Sequence, residues 1–216
     1  MDLFIPRSQF FKAAQSLAWR TSVMQPTKLL NDDPEVFTNY MRCVYLGDVS
    51  PLLKGQNWGE KGSQVHFQAL IMIFVLADRL CDLLTANIVT AEIIDFSGRM
   101  GMLPDSTATN LVYASTASTN PLRALMRDYC VYEAGNVQFA GEMSSKYHTE
   151  FFPDVVVEHV KIKSKSLEST TTTTVKTAFD VAVSTIEKCK YHQHDENFPS
   201  CSSIIRRCFV HLAPDL

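Results

Sequence analysis

No apolar stretch of this chain approaches the length of a membrane span. The most apolar run, Ala69 to Ala77, covers about half of what a helix needs to cross a bilayer, and Asp78 and Arg79 end it. The first residues, Met1-Asp2-Leu3-Phe4-Ile5-Pro6-Arg7, lack the basic-then-apolar layout of a secretory signal. Neither sign of charge dominates: 20 basic residues face 23 acidic ones, so there is no broad basic footprint for nucleic acid. Lys161, Lys163 and Lys165 make a local basic strip, read as a solvated helix face. The six cysteines, at 43, 81, 130, 189, 201 and 208, are scattered rather than framed for disulfides. Cys43, Cys81 and Cys130 fall within apolar helical patterns, where a thiol behaves as a small hydrophobe. That usage points to a reduced intracellular compartment, cytoplasm or nucleus. The chain also lacks a G-x-S-x-G elbow, a P-loop, a G-x-G-x-x-G turn and any internal repeat, which removes the common hydrolase and nucleotide signatures.

What is present is helical periodicity. Ser8 to Ala14 reads as a short helix with Ser8 as N-cap, its hydroxyl accepting from a first-turn amide. Thr27 to Leu30 is a possible short strand. Asp33-Pro34 then opens a helix by cap-plus-proline logic, and Gly47 sits where its C-terminal cap belongs. Val36, Phe37, Tyr40, Val44 and Tyr45 follow its 3.6-residue period, so that stripe is expected to face a core. Ser50 to Gly62, rich in turn-forming residues, reads as a loop carrying Trp58. Ser63 to Leu80 predicts a central helix, because Phe67, Leu70, Ile71, Phe74, Val75 and Leu76 occupy more than one face. A second long helix follows from Leu83 to Arg99, with Leu84, Ile88, Ala91, Ile94 and Asp95 setting its register. Asp105-Ser106 and Asn120-Pro121 open two more helices, and another is expected from Asp154 to Lys165. Ser169 to Thr174 reads as a linker or a weakly ordered turn; in Val175 to Lys188, Val175, Phe179, Ala182 and Ile186 fit a helix and Phe179, Val181 and Val183 a strand, the helix being preferred.

In that order these segments resemble the BTB/POZ domain proteins of fungi. Ser8-Gln9-Phe10-Phe11-Lys12-Ala13-Ala14 resembles their S-x-F-F-x-A-A stretch, and Asn31-Asp32-Asp33-Pro34-Glu35-Val36-Phe37 the acidic-proline opening of their central helix. Tyr45-Leu46-Gly47 resembles the end of that helix, and Leu76-Ala77-Asp78-Arg79-Leu80 a motif of the helix pair that follows. Asn110-Leu111-Val112-Tyr113 and Pro121-Leu122-Arg123-Ala124-Leu125-Met126 are similar to the helical extension of the fungal members. Two departures matter. Family members usually begin with a β-hairpin and a helix before the S-x-F-F segment, and the tryptophan usual in the central helix is replaced near Cys43. The resemblance implies a mostly α fold with a minimal sheet remnant: a partial BTB/POZ-like domain over 1–99, a helical extension over 100–165, and a loosely ordered tail over 166–216. It implies a non-catalytic role in protein–protein association, with itself or with a cullin-type ubiquitin-ligase scaffold. No cofactor, nucleic acid or membrane is expected.

Candidate contacts for such a partner are Tyr40, Tyr45 and Trp58, as aromatic anchors. Catalysis is not expected, because Cys81 and Cys130 sit in apolar patterns without a cation to lower the thiol pKa. The one cluster with ligand chemistry is Cys189, His192, His194 and Cys201; two thiolates and two imidazoles suit tetrahedral zinc. The favoured expectation there is a polar, metal-free tail. A small zinc-binding regulatory protein, or a fragment of a longer BTB protein, are the alternatives.

Overall fold

A computed structural model describes residues 7–14, 29, 32–47, 49, 60–133, 146–168 and 190–194. The helices are α1 (Gln9–Ala14), α2 (Pro34–Leu46), α3 (Glu60–Arg79), α4 (Leu83–Met100), α5 (Ser106–Ser115), α6 (Pro121–Glu133) and α7 (Phe151–Glu168). The fold is mostly α, and no strand occurs among the described residues. The strand expected at Thr27 to Leu30 lies outside them apart from Leu29, as do Trp58, Cys189, Cys201 and the segments 169–174 and 175–188.

Caps that the residues themselves dictate begin and end most of these helices. The Asp33 carboxylate accepts from the Glu35 amide at 2.7 Å, with Pro34 at the first helical position. Gly47, at φ 67°, closes α2 in the left-handed conformation that favours glycine. Asp105 caps α5 through the Ala108 amide at 2.9 Å, and Asn120 accepts from Leu122 at 3.0 Å to start α6. Ser8 accepts from Phe11 at 3.2 Å as the cap of α1 and also donates to the Leu80 carbonyl, which pins α1 to the end of α3.

Helix α3 packs on α2, α4 and α5, while α6 packs on α5 and α7. Phe67, Leu70, Ile71, Ile73, Phe74, Leu76 and Ala77 are fully enclosed, as the all-round apolar pattern predicts. Lys61 and the line through Val65, Met72 and Arg79, spaced by seven residues, face outward. Phe67 meets Phe96 of α4 edge to face at 5.0 Å between ring centres. A single cluster of buried residues runs from Tyr40 through α3–α6 to Phe151, Val155 and Tyr191, so the segments 1–99 and 100–165 share one core.

Four expectations need correction. Helix α3 starts at Glu60, three residues inside the expected loop. Its first turn is held because the Gln64 amide group donates to the Leu103 carbonyl and accepts from the Asp105 amide, both at 2.9 Å. Helix α7 begins at Phe151 rather than Asp154, since Pro153 is tolerated in a first turn, where its missing N–H has no partner to lose. Cys81 is not helical: it occupies the turn between α3 and α4 at φ 51° and is exposed. Tyr45 leaves the core stripe of α2, because Tyr40, Cys43 and Val44 complete the buried face and turn Tyr45 toward solvent, 57% exposed.

Candidate functional site

Tyr40 is completely buried, so it is not available as a partner contact. Its hydroxyl donates to Asp82 at 3.0 Å, and burial, followed by the Asp82 charge, raises its pKa well above the usual phenol range. Asp82 is itself fully enclosed and caps α4 through the Thr85 amide (3.1 Å) and hydroxyl (2.7 Å). The Arg7 guanidinium completes this centre: it lies 3.8 Å from Asp82 and donates to the Val44 carbonyl (2.9 Å) and the Thr85 hydroxyl (3.0 Å). The group is a structural junction of α1, α2 and α4. Of the expected aromatic contacts, Tyr45 alone stands exposed among the described residues, beside Leu46 at the end of α2.

Among the described residues, exposed large apolar side chains gather most on α7. On α7, Phe152, Val156, Val157 and Val160 are 42–59% exposed. Residues 152, 156 and 160 recur every fourth position, so they form one stripe along the helix. The signal lies in Val155-Val156-Val157: three consecutive valines cannot all face one core on a helix. The opposite face anchors the helix. Phe151 and Val155 are buried, and Phe151 stacks on Tyr147 at 4.8 Å and meets Tyr113 edge-on at 5.2 Å. Asp154 accepts from the Tyr113 hydroxyl at 3.0 Å, and Glu158 lies 3.8 Å from Arg127. Lys161 and Lys163 are exposed near the other end, as a solvated basic face requires.

The chain from Lys190 to His194 is docked, in contrast to the loose tail expected there. Tyr191 and His192 are buried. Tyr191 donates to Asp128 of α6 at 2.8 Å, and Lys190 pairs with the same carboxylate. Asn87 of α4 accepts from the Gln193 amide and donates to the Gln193 carbonyl, each at 2.8 Å. The Gln193 side chain donates to Asp78 at 2.8 Å. Nothing in the sequence marks Asn87 or Asp128, because a polar residue within a helix carries no signal of its buried partner.

The zinc candidates are brought together only in part. The His192 and His194 rings are 6.5 Å apart, and burial, then His194, pushes the His192 imidazole down to about 4. Among the described residues no group of three or more His, Cys, Asp or Glu side chains is placed to hold a metal ion. Burial pushes the Cys130 thiol up to about 12, which opposes the thiolate a nucleophile needs. No helix among the described residues is long and apolar enough to cross a membrane. Comparison with protein-family models, curated proteins and solved structures gave no match.

Proposed function

We propose that this chain is a non-catalytic interaction module that associates through the apolar face of α7, with a second copy of itself as the partner. The observation that carries the reading is the row Phe152, Val156, Val157 and Val160, exposed on a helix whose other side is fixed to the core. A continuous apolar row on a rigid helix is what a partner helix or groove takes up. The charges flanking the row favour a second copy in antiparallel orientation. Glu150 lies just before α7, and Lys161 and Lys163 lie toward its end, so two antiparallel helices bring opposite signs near each other. The motifs that resemble BTB/POZ proteins also support association as the role, and they make a cullin-type scaffold the alternative partner.

Sedimentation velocity over a concentration series tests this. The parent chain is expected to form a dimer that Val156→Lys with Val160→Lys abolishes while the melting temperature stays within about 2 °C, since exposed positions contribute little to the fold. A parent chain that stays monomeric at about 100 μM, a concentration any functional dimer of at least micromolar affinity exceeds, overturns self-association.

A further inference from the structure

The docked segment is held the way a protein holds a peptide ligand. Asn87 engages both backbone groups of Gln193, using its side-chain amide as the edge of a strand would use a peptide group. Asp128 divides its carboxylate: Oδ1 accepts from Arg127, while Oδ2 accepts from Tyr191 at 2.8 Å and from Lys190. Asp78 accepts from the Gln193 side chain at 2.8 Å and from Asn120 at 3.1 Å. Asn87 and Asp128 are each 2% exposed, and the Tyr191 ring is buried in the core, so recognition takes place out of water, around a single aromatic anchor. The bonds to Asn87, Asp78 and Asp128 from the docked segment come from groups of Lys190, Tyr191 and Gln193. None depends on a covalent link to α7.

We propose that Asn87, Asp78 and Asp128 form a peptide-binding site for turn-forming Lys-Tyr-His-Gln segments, occupied in cis by residues 190–194 and able to take the same motif from another protein. The chemistry sets the ligand class. The Asp128 carboxylate selects a basic residue beside a hydroxyl-bearing aromatic, Asp78 selects the glutamine side-chain amide, and the backbone clamp requires a free N–H at the glutamine position. The tethered segment competes at the high effective concentration that a linker supplies, so a partner engages once the cis segment is released. This site is separate from the α7 face, and loss of one leaves the other standing.

Fluorescence anisotropy with a labelled synthetic peptide spanning 188–195, carrying Cys189→Ser, decides the matter. The protein is the full chain with Gln193→Pro, which removes the amide that Asn87 accepts from and weakens the cis contact. The peptide is expected to bind this variant, and to bind the parent chain about tenfold or more weakly because the tethered segment competes. Peptides with Tyr191→Phe or Gln193→Pro should bind about tenfold more weakly, since each removes one buried bond; these changes leave the protein untouched. No binding by the folded variant up to about 1 mM, the order of a short linker's effective concentration, overturns the proposal. Equal binding of the proline peptide overturns it as well. Should the variant fail to fold, hydrogen exchange at the Gln193 amide of the parent chain reads the clamp directly. Protection of about tenfold or more is expected, and exchange at the free-peptide rate refutes the site.

Discussion

His66 shows how burial turns one residue into a determinant of pH dependence. The ring lies 4.6 Å from Phe96 and is 5% exposed. Burial, then the Arg99 charge, lowers its pKa to about 4. As pH falls below the ordinary histidine value of about 6.5, the unfolded chain takes up a proton that the folded chain refuses. Stability is therefore fully present above about 6.5, declines below it, and levels off near 4. Between pH 7 and pH 5 the contribution is about 2 kcal/mol at most. Denaturant unfolding at the two pH values should show that much less pH dependence in His66→Gln; His192 contributes equally in both chains and cancels. An unchanged difference would mean that His66 is hydrated in the folded state. Phe74 is a simpler case, a fully enclosed ring in the helix that touches three others. Phe74→Ala should cost about 3–5 kcal/mol and lower the melting temperature by about 6–20 °C. A melting curve that does not move would place the ring outside the core.

Arg123 matters at the scale of elements, because it joins three of them. It is 7% exposed and donates to the carbonyls of Tyr113 (2.6 Å) and Thr116, groups that the end of α5 leaves without helical partners. Its guanidinium lies over the Tyr113 ring at 4.6 Å and pairs at 2.5 Å with Glu150, just before α7. The Glu150 pair is exposed on the acid's side and contributes little by itself. The carbonyls carry the effect: Arg123→Met should destabilise by about 1–3 kcal/mol for each buried acceptor left unmade. The urea midpoint measures this, and a shift no larger than that of Glu150→Gln would show that water replaces the guanidinium.

The described residues share one core, and its polar junctions bridge elements far apart in sequence. Asp82 joins the segment before α1 to α2 and α4, and Asn87 and Asp128 join α4 and α6 to residues 190–194. Unfolding should therefore be a single transition, with far-ultraviolet and tyrosine signals superimposed. Two separated transitions would contradict the shared core. Asp82→Ala strips partners from Tyr40, Thr85 and Arg7 at once and should cost about 3–5 kcal/mol, as breaking a buried charge cluster does. Retention of parent stability in that variant would show that the cluster contributes no net stability to the folded chain.

Most of the helix starts and stops were legible in the residues, for a local reason. Asp33-Pro34, Gly47, Asp105 and Asn120-Pro121 act within one turn of themselves, and the packing of α3 follows from a pattern with no polar face. Tertiary structure decided everything that depends on a distant partner. Tyr40 and Tyr45 lie five residues apart on one amphipathic helix; Asp82 and the core take the first, and solvent takes the second. Cys81 reads as part of an apolar run, yet it turns the chain between two helices that must both reach the core. Residues 190–194 look like a polar tail because their apolar content is low; burial of the Tyr191 ring and hydrogen bonds to Asn87, Asp78 and Asp128 together dock them. A local pattern records which residues avoid water. It does not record which buried donor meets which acceptor across a hundred residues, and in this protein those pairings determine which segments dock.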